Sequence, residues 1–157
     1  MKLTTHASVE IPKPADRVFD FATSCEGFPR FIWALGPIPG ISRAEMVGGQ
    51  TAKAGAERRI HMTDGSVVEE ELLAYDRPSR HRYRWLKPPA FPFSLIVRTG
   101  EGDWRFTAAN GGTRIDWDYT FELTSAFALP LAAPLMIVFR RWMQRALLRA
   151  CTVLAAD

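Results

Sequence analysis

Apolar and polar residues alternate from the start of the chain. Leu3, Thr5, Ala7, Val9 and Ile11 share one side of an extended segment, which predicts an opening strand. Pro12 and Pro14 end that strand, and Pro14 also suits the first turn of a helix. Ala15, Val18, Phe19 and Ala22 follow at helical spacing, so a short amphipathic helix is predicted over Ala15 to Thr23. Phe28 to Trp33 is a second short helical candidate before Gly36-Pro37-Ile38-Pro39-Gly40 breaks the pattern.

From Ile41 to Leu123 turn signals recur at strand spacing: Gly48-Gly49, Asp64-Gly65, Pro78-Ser79, Pro88-Pro89 and Asn110-Gly111-Gly112. They divide the region into six antiparallel strands. The last strand has the clearest pattern. Thr113, Ile115, Trp117, Tyr119, Phe121 and Leu123 occupy one face, and Arg114, Asp116, Asp118, Thr120 and Glu122 the other. A two-residue loop before it, at Asn110-Gly111 or Gly111-Gly112, places Trp104, Phe106 and Ala108 on the apolar side; a three-residue loop would mix the faces.

The final segment reads as a helix from about Pro130 to Leu154. Leu135, Phe139, Trp142, Met143, Ala146, Ala150 and Val153 fall on one face, and Arg141, Arg145, Leu148, Arg149 and Thr152 on the other. There is no internal repeat and no low-complexity linker. The expected architecture is therefore one α+β domain over residues 1–157, in which a single sheet and a long helix cover each other. The uncharged stretch from Leu123 to Phe139 is shorter than the ~20 apolar residues of a spanning helix and is interrupted by Pro130 and Pro134. A buried helix is expected there, with no stable membrane insertion, and the arginine face is expected to be solvated rather than membrane-binding.

Composition narrows the picture. A chain of 157 residues with 47% hydrophobic and 24% charged residues can bury one ordinary core. The net charge of +3 comes from arginines interleaved with carboxylates, and no nucleic-acid module accompanies it, so no nucleic-acid partner is expected. Cys25 and Cys151 lack metal-site or disulfide spacing. The three histidines, His6, His61 and His81, lie in separate predicted strands without ligand spacing, so no metal site is expected. GxSxG, P-loop and GxGxxG patterns are absent, and no cofactor is expected. The segment Met1 to His6 has no apolar signal-peptide region, which points to a cytoplasmic protein.

The candidate chemistry lies where charges interrupt apolar faces. Glu70 shares parity with Val68, Leu72 and Ala74, and Arg58 with Ile60 and Met62. A carboxylate on an apolar face is costly unless it is paired or wetted. A two-residue turn at Asp64-Gly65 sets Arg59 opposite Glu70, whereas a β-bulge would align Arg58 with Glu70 instead. Either pair is an ion pair on a solvated face or the polar anchor of a pocket. Tyr83, Trp85, Trp104, Trp117 and Tyr119 likewise serve a packed core or line a cavity.

The element order, together with particular segments, resembles the START and polyketide cyclase superfamily. The segments are Ile11-Pro12-Lys13-Pro14-Ala15-Asp16-Arg17-Val18-Phe19, Gly55-Ala56-Glu57-Arg58, Asp64-Gly65-Ser66-Val67-Val68-Glu69-Glu70, Tyr83, Trp104, Gly112-Thr113-Arg114 and Trp117. The resemblance is to the polyketide cyclase/dehydrase-like branch and spans nearly the whole chain. It implies the helix-grip fold: a seven-stranded curved antiparallel sheet wrapped around a long C-terminal helix, with two short helices after the first strand. It also implies a cavity for sterols, lipids, polyketides or hormone-like molecules, with Arg58 and Glu70 at positions where relatives carry an arginine and a glutamate.

The primary expectation is binding of an apolar or amphipathic small molecule by Arg58, Arg59, Glu70, Tyr83, Trp85, Trp104, Trp117, Tyr119, Phe139 and Met143. A cyclase or dehydratase using Glu70 as acid or base, with an arginine stabilising an enolate, is the first alternative. A filled-core interaction module is the second.

Overall fold

The computed structural model describes residues 1–157. Strand β1 (Lys2–Ile11) leads through Pro12 to Pro14 into α1 (Ala15–Thr23) and the single-turn α2 (Phe28–Phe31). Six strands follow: β2 (Ile41–Met46), β3 (Glu57–Met62), β4 (Val67–Asp76), β5 (Arg80–Trp85), β6 (Val97–Ala109) and β7 (Gly112–Leu123). The chain ends in α3 (Leu129–Ala156). All seven strands form one antiparallel sheet in the order β1-β7-β6-β5-β4-β3-β2, which is the helix-grip arrangement.

The period-2 pattern of β7 holds over its whole length. Ile115, Trp117, Tyr119, Phe121 and Leu123 are buried, while Asp116 and Asp118 turn outward into ion pairs with Arg114 and Arg105. Ala109 pairs with Gly112, so the hairpin loop is Asn110-Gly111. Both loop residues have positive φ, 49° and 78°, as a primed two-residue turn requires. Trp104 therefore pairs with Trp117, their rings stacked at 4.3 Å between centroids.

The β3–β4 turn is one residue longer than the two-residue turn read from Asp64-Gly65. Met62 N–H donates to Ser66 O at 2.9 Å, leaving Thr63, Asp64 and Gly65 as the loop, with Gly65 at φ +88°. The extra residue reverses the parity. Arg58 then pairs with Glu70, and Arg59 with Glu69, without a bulge in this hairpin. A register shift does occur further along β4, between Leu72 and Ala74. It turns Tyr75 inward opposite His81 and sets Ala74 opposite Arg82, so Ala74 does not continue the face of Glu70.

Helix α3 does two different things along its length. Its second half supplies Trp142, Met143, Ala146, Leu147, Ala150 and Leu154 to the core. Leu147 and Leu154 join the face read from the sequence, whereas Val153 is only half-buried. Ala146 and Ala150 have little bulk, and this half runs close to β1, with Gln144 Nε2 donating to Ser8 O at 2.9 Å. The first half stands away from the sheet. Leu131 and Ile137 are 66% and 59% exposed, so the uncharged stretch expected to be buried is buried only in part. The helix is long and apolar enough to cross a membrane by length and composition, but its C-terminal half is committed to the core.

Candidate functional site

Because α3 leaves the sheet over its first half, a cavity of about 330 Å³ remains between them. Of its 31 lining residues 23 are hydrophobic, so its wall is mainly apolar. Trp117 and Tyr119 line it from β7, Tyr83 and Trp85 from β5, and Trp104 from β6. Phe139 and Trp142 close it from α3.

The inward face of β6 makes room for these rings. Gly100 and Gly102 share parity with Trp104, and a Cβ on Gly102 would lie 2.3 Å from Tyr83 Cζ. One on Gly100 would crowd Trp85 and Tyr119 at 3.1 Å. The glycines let Tyr83 and Trp85 lie across the strand. Their alternate spacing among large inward residues is a signal in the sequence that marks a close approach of rings to backbone.

The rings are held by their own polar atoms. Trp85 Nε1–H donates to Tyr119 Oη at 2.8 Å, and Trp104 Nε1–H to Tyr83 Oη at 3.4 Å. Burial raises both phenols above the ordinary tyrosine range, so they stay protonated. The indole N–H groups of Trp117 and Trp142 are buried without a partner.

At one end of the cavity three polar side chains are buried together: Arg58, Glu70 and His81. Arg58 donates from Nε and Nη2 to Glu70 Oε1 at 3.0 and 2.7 Å, so both bonds fall on one carboxyl oxygen. Glu70 Oε2 receives no hydrogen bond from the protein, and Glu70 lines the cavity. Arg58 Nη1 donates to His81 Nε2 at 3.2 Å, which fixes the histidine as the neutral Nδ1–H tautomer donating to Ala74 O at 3.2 Å. The guanidinium also sits over the Phe28 and Tyr83 rings, at 4.8 and 5.1 Å from their centroids. Burial raises the Glu70 carboxyl, with Arg58 pulling the other way. Burial, then the Arg58 charge, lowers His81 well below the ordinary histidine range.

Eight of the ten residues read from the sequence therefore line the cavity: Arg58, Glu70, Tyr83, Trp85, Trp104, Trp117, Tyr119 and Phe139. Arg59 and Met143 do not. Arg59 faces outward and pairs with Glu45 at 3.6 Å, because the longer turn assigned it the opposite parity. Met143 is fully buried but outside the cavity wall, where α3 has already closed on the core. His81 was missed as a partner of the ion pair, although it shares parity with Tyr83 and Trp85 on β5. Trp142 was read as core and also lines the cavity.

The His81 environment has a pH consequence. Its folded pKa lies below the unfolded value, so the unfolded chain takes up the proton first as pH falls. Its contribution to stability is complete above about pH 6.5 and is lost below it, at up to about 1.4 kcal/mol per pH unit. Glu70, raised, has the opposite sign: its contribution falls as pH rises through the interval above the ordinary carboxyl value. Urea unfolding of wild type and His81→Gln across that range separates the two. The expected result is a shallower acid loss in His81→Gln; identical pH profiles would refute the neutral buried histidine.

A family model described as polyketide cyclase/dehydrase and lipid transport matches residues 2–155. No curated protein is significantly similar in sequence. The fold recurs in the crystal structure of Ara h 8.0201, at a TM-score of 0.74 and 18% identity, with 100% of both chains covered. It recurs in TTHA0849 from Thermus thermophilus, at 0.71 and 24% identity over 99% of each chain. The di-domain ARO/CYC BexL from the BE-7585A biosynthetic pathway gives 0.71 and 18% identity, over 96% of this chain and 49% of BexL. These identities carry the fold alone. The family match, in contrast, runs from the first strand to the end of α3, and the chain belongs to the polyketide cyclase/dehydrase and lipid transport family.

Proposed function

We propose that this protein binds a hydrophobic small molecule with a polar head, the body among the aromatic rings and the head at Glu70. The observation that carries the reading is the free Oε2 of Glu70 on the wall of an otherwise apolar cavity. A ligand hydroxyl donating to that oxygen would complete the acceptor capacity that Arg58 leaves unused. The cavity volume lies at the lower end of the range of small-molecule sites, which favours a compact lipid, sterol fragment or aromatic polyketide over a long chain held entirely inside.

Titration with a fluorescent apolar probe, and its displacement by sterols, fatty acids and aromatic polyketides, tests this. Glu70→Gln is expected to weaken a hydroxyl-bearing ligand by about ten- to a hundredfold, the equivalent of one charge-assisted hydrogen bond of about 1.5 to 3 kcal/mol. Trp117→Ala is expected to weaken purely apolar ligands as well. Folded variants that bind a cavity ligand as tightly as wild type would overturn the reading, as would a wild type that binds none of them.

The raised carboxyl of Glu70 favours a second reading, a cyclase or dehydratase in which that group transfers a proton. BexL, whose description is ARO/CYC, shares the fold. On this reading Glu70→Gln loses conversion of a polyketide while retaining its binding. On the first reading it loses binding alone.

A further inference from the structure

We propose that the cavity ligand is a neutral hydroxycarbonyl compound, whose carbonyl oxygen accepts a hydrogen bond from the paired hydroxyls of Tyr83 and Tyr119 while its hydroxyl donates to Glu70. This second polar contact rests on the binding function proposed above, in which the ligand hydroxyl meets Glu70. Tyr83 opposes Gly102, and Gly102 opposes Tyr119, so the two tyrosines lie in register on either side of a residue without a side chain. Their rings converge over it, 6.0 Å apart between centroids and nearly edge to face. A Cβ on Gly102 would lie 2.5 Å from Tyr83 Oη, so that hydroxyl rests against the β6 backbone on its inward face. Both tyrosines line the cavity.

Each hydroxyl has an acceptor site filled and its proton left over. An indole N–H only donates, so Trp85 and Trp104 occupy lone pairs of Tyr119 Oη and Tyr83 Oη, at 2.8 and 3.4 Å. Neither hydroxyl has a carboxylate or backbone carbonyl to donate to. Turning Tyr119 O–H onto Tyr83 Oη uses one proton and leaves the Tyr83 proton without an acceptor. Tyr83 and Tyr119 are 6% and 5% exposed, and an unmet donor so deeply buried is costly. A ligand acceptor removes that cost.

The neighbouring charges select a neutral ligand. Arg58 is the one cation on the cavity wall, and its donors are engaged, Nε and Nη2 by Glu70 and Nη1 by His81. Glu70 opposes Trp85 and so stands diagonal to Tyr83, at roughly 7 to 8 Å between Cα atoms. The Arg58 guanidinium also lies 5.1 Å from the centre of the Tyr83 ring, so the acceptor at Glu70 and the donor at Tyr83 adjoin. A ligand carboxylate at Tyr83 would be desolvated close to the Glu70 carboxyl, with no unengaged cation to pair with. A ketone or ester oxygen accepts the same proton without a charge. Neutral hydroxyketones and hydroxyesters are therefore preferred to free fatty acids.

Ethylnaphthalene, acetonaphthone and naphthoate share one ring system and differ in the polar group. Their affinities at about pH 8, where the acid is ionised, for wild type and for Tyr83→Phe with Tyr119→Phe test this. The ketone is expected to lose about three- to tenfold relative to ethylnaphthalene in the double variant, as for one neutral hydrogen bond. Naphthoate is expected to bind wild type about tenfold or more weakly than the ketone does. The carbonyl carbon resonance of isotope-labelled acetonaphthone should lie downfield of its position in a hydrocarbon solvent when bound to wild type. It should return toward that position in the double variant, whose phenylalanine rings keep the aromatic surroundings. Should that variant not fold, the wild-type resonance decides, since an unshifted carbonyl accepts no bond. An unchanged ketone-to-ethylnaphthalene ratio overturns the proposal, as does naphthoate bound as tightly as the ketone. A downfield shift that survives the double variant overturns it in favour of the unpartnered indoles of Trp117 or Trp142. If wild type binds none of the compounds, the binding function falls with it; if ethylnaphthalene binds and only the discrimination fails, the binding function stands and the tyrosine contact falls.

Discussion

A chain truncated after Pro130 loses cooperative unfolding. The segment removed contains Trp142, Met143, Leu147 and Leu154, all buried, and the small Ala146 and Ala150 that let the helix approach β1. Burying a large apolar side chain contributes about 1.5 to 3 kcal/mol, so these four together are of the same size as the whole stability of an ordinary domain, about 5 to 15 kcal/mol. The loss is compounded on the sheet side, where Trp117, Tyr119 and Phe121 would face water over one whole surface. Far-ultraviolet circular dichroism with thermal melting measures the outcome. Residual strand signal with a broad, non-cooperative melt is expected, and a sharp transition near that of the full chain would refute the account. The exposed first half of α3 gives the control: Leu131→Ser is expected to leave the melt almost unchanged, because that side chain contributes little to the core.

The elements most legible in the sequence were those in which one periodicity ran unbroken. In β7 the alternation of Trp117 and Tyr119 with Asp116 and Asp118 admits a single facing, and the Asn110-Gly111 turn transmits it to Trp104. Helix α1 was bounded by Pro14 and the spacing of Val18, Phe19 and Ala22. The candidate site was harder to read because it depends on loop lengths and separations that periodicity does not encode. Whether Arg58 or Arg59 faces Glu70 turns on whether Thr63 belongs to the strand or the loop. Gly65 takes positive φ with either loop length, so the Asp64-Gly65 pair does not decide between them; the Met62 N–H to Ser66 O bond does.

The same limitation explains Met143. Helical phase places it beside Phe139 and Trp142 on the apolar face of α3, but phase does not report how far the helix stands from the sheet. Phe139 and Trp142 meet the cavity, whereas Met143 packs where the helix has already closed on the core. The apolar stretch before Phe139 had the converse problem. Its hydrophobicity reads as burial, yet much of it surrounds an opening and is exposed. Hydrophobic content alone cannot distinguish a wall from a rim.

Replacing Arg58 by methionine destabilises the protein by about 3 to 5 kcal/mol, the typical cost of leaving one member of a buried ion pair unpaired. Arg58 is 2% exposed and Glu70 5%, and the guanidinium supplies both hydrogen bonds that Glu70 accepts from the protein. Methionine retains much of the volume between Phe28 and Tyr83 but none of the charge. Without that charge, the burial that already raises the Glu70 carboxyl acts unopposed, and the group is driven further toward its neutral form. Protonation then offers a partial escape, so the deficit is largest at high pH and shrinks as pH falls toward the raised carboxyl value. Arg58→Met combined with Glu70→Leu removes both charges and should recover most of the loss, since a buried pair replaced by apolar groups of similar size is often neutral. His81 loses its Nε2 donor in both variants, so their comparison isolates the unpaired carboxylate. Urea unfolding of the wild type and both variants at about pH 5 and about pH 8 decides it. A single variant within about 1 kcal/mol of wild type at the higher pH, or a double variant no better than the single, would show that cavity water rather than Arg58 stabilises Glu70.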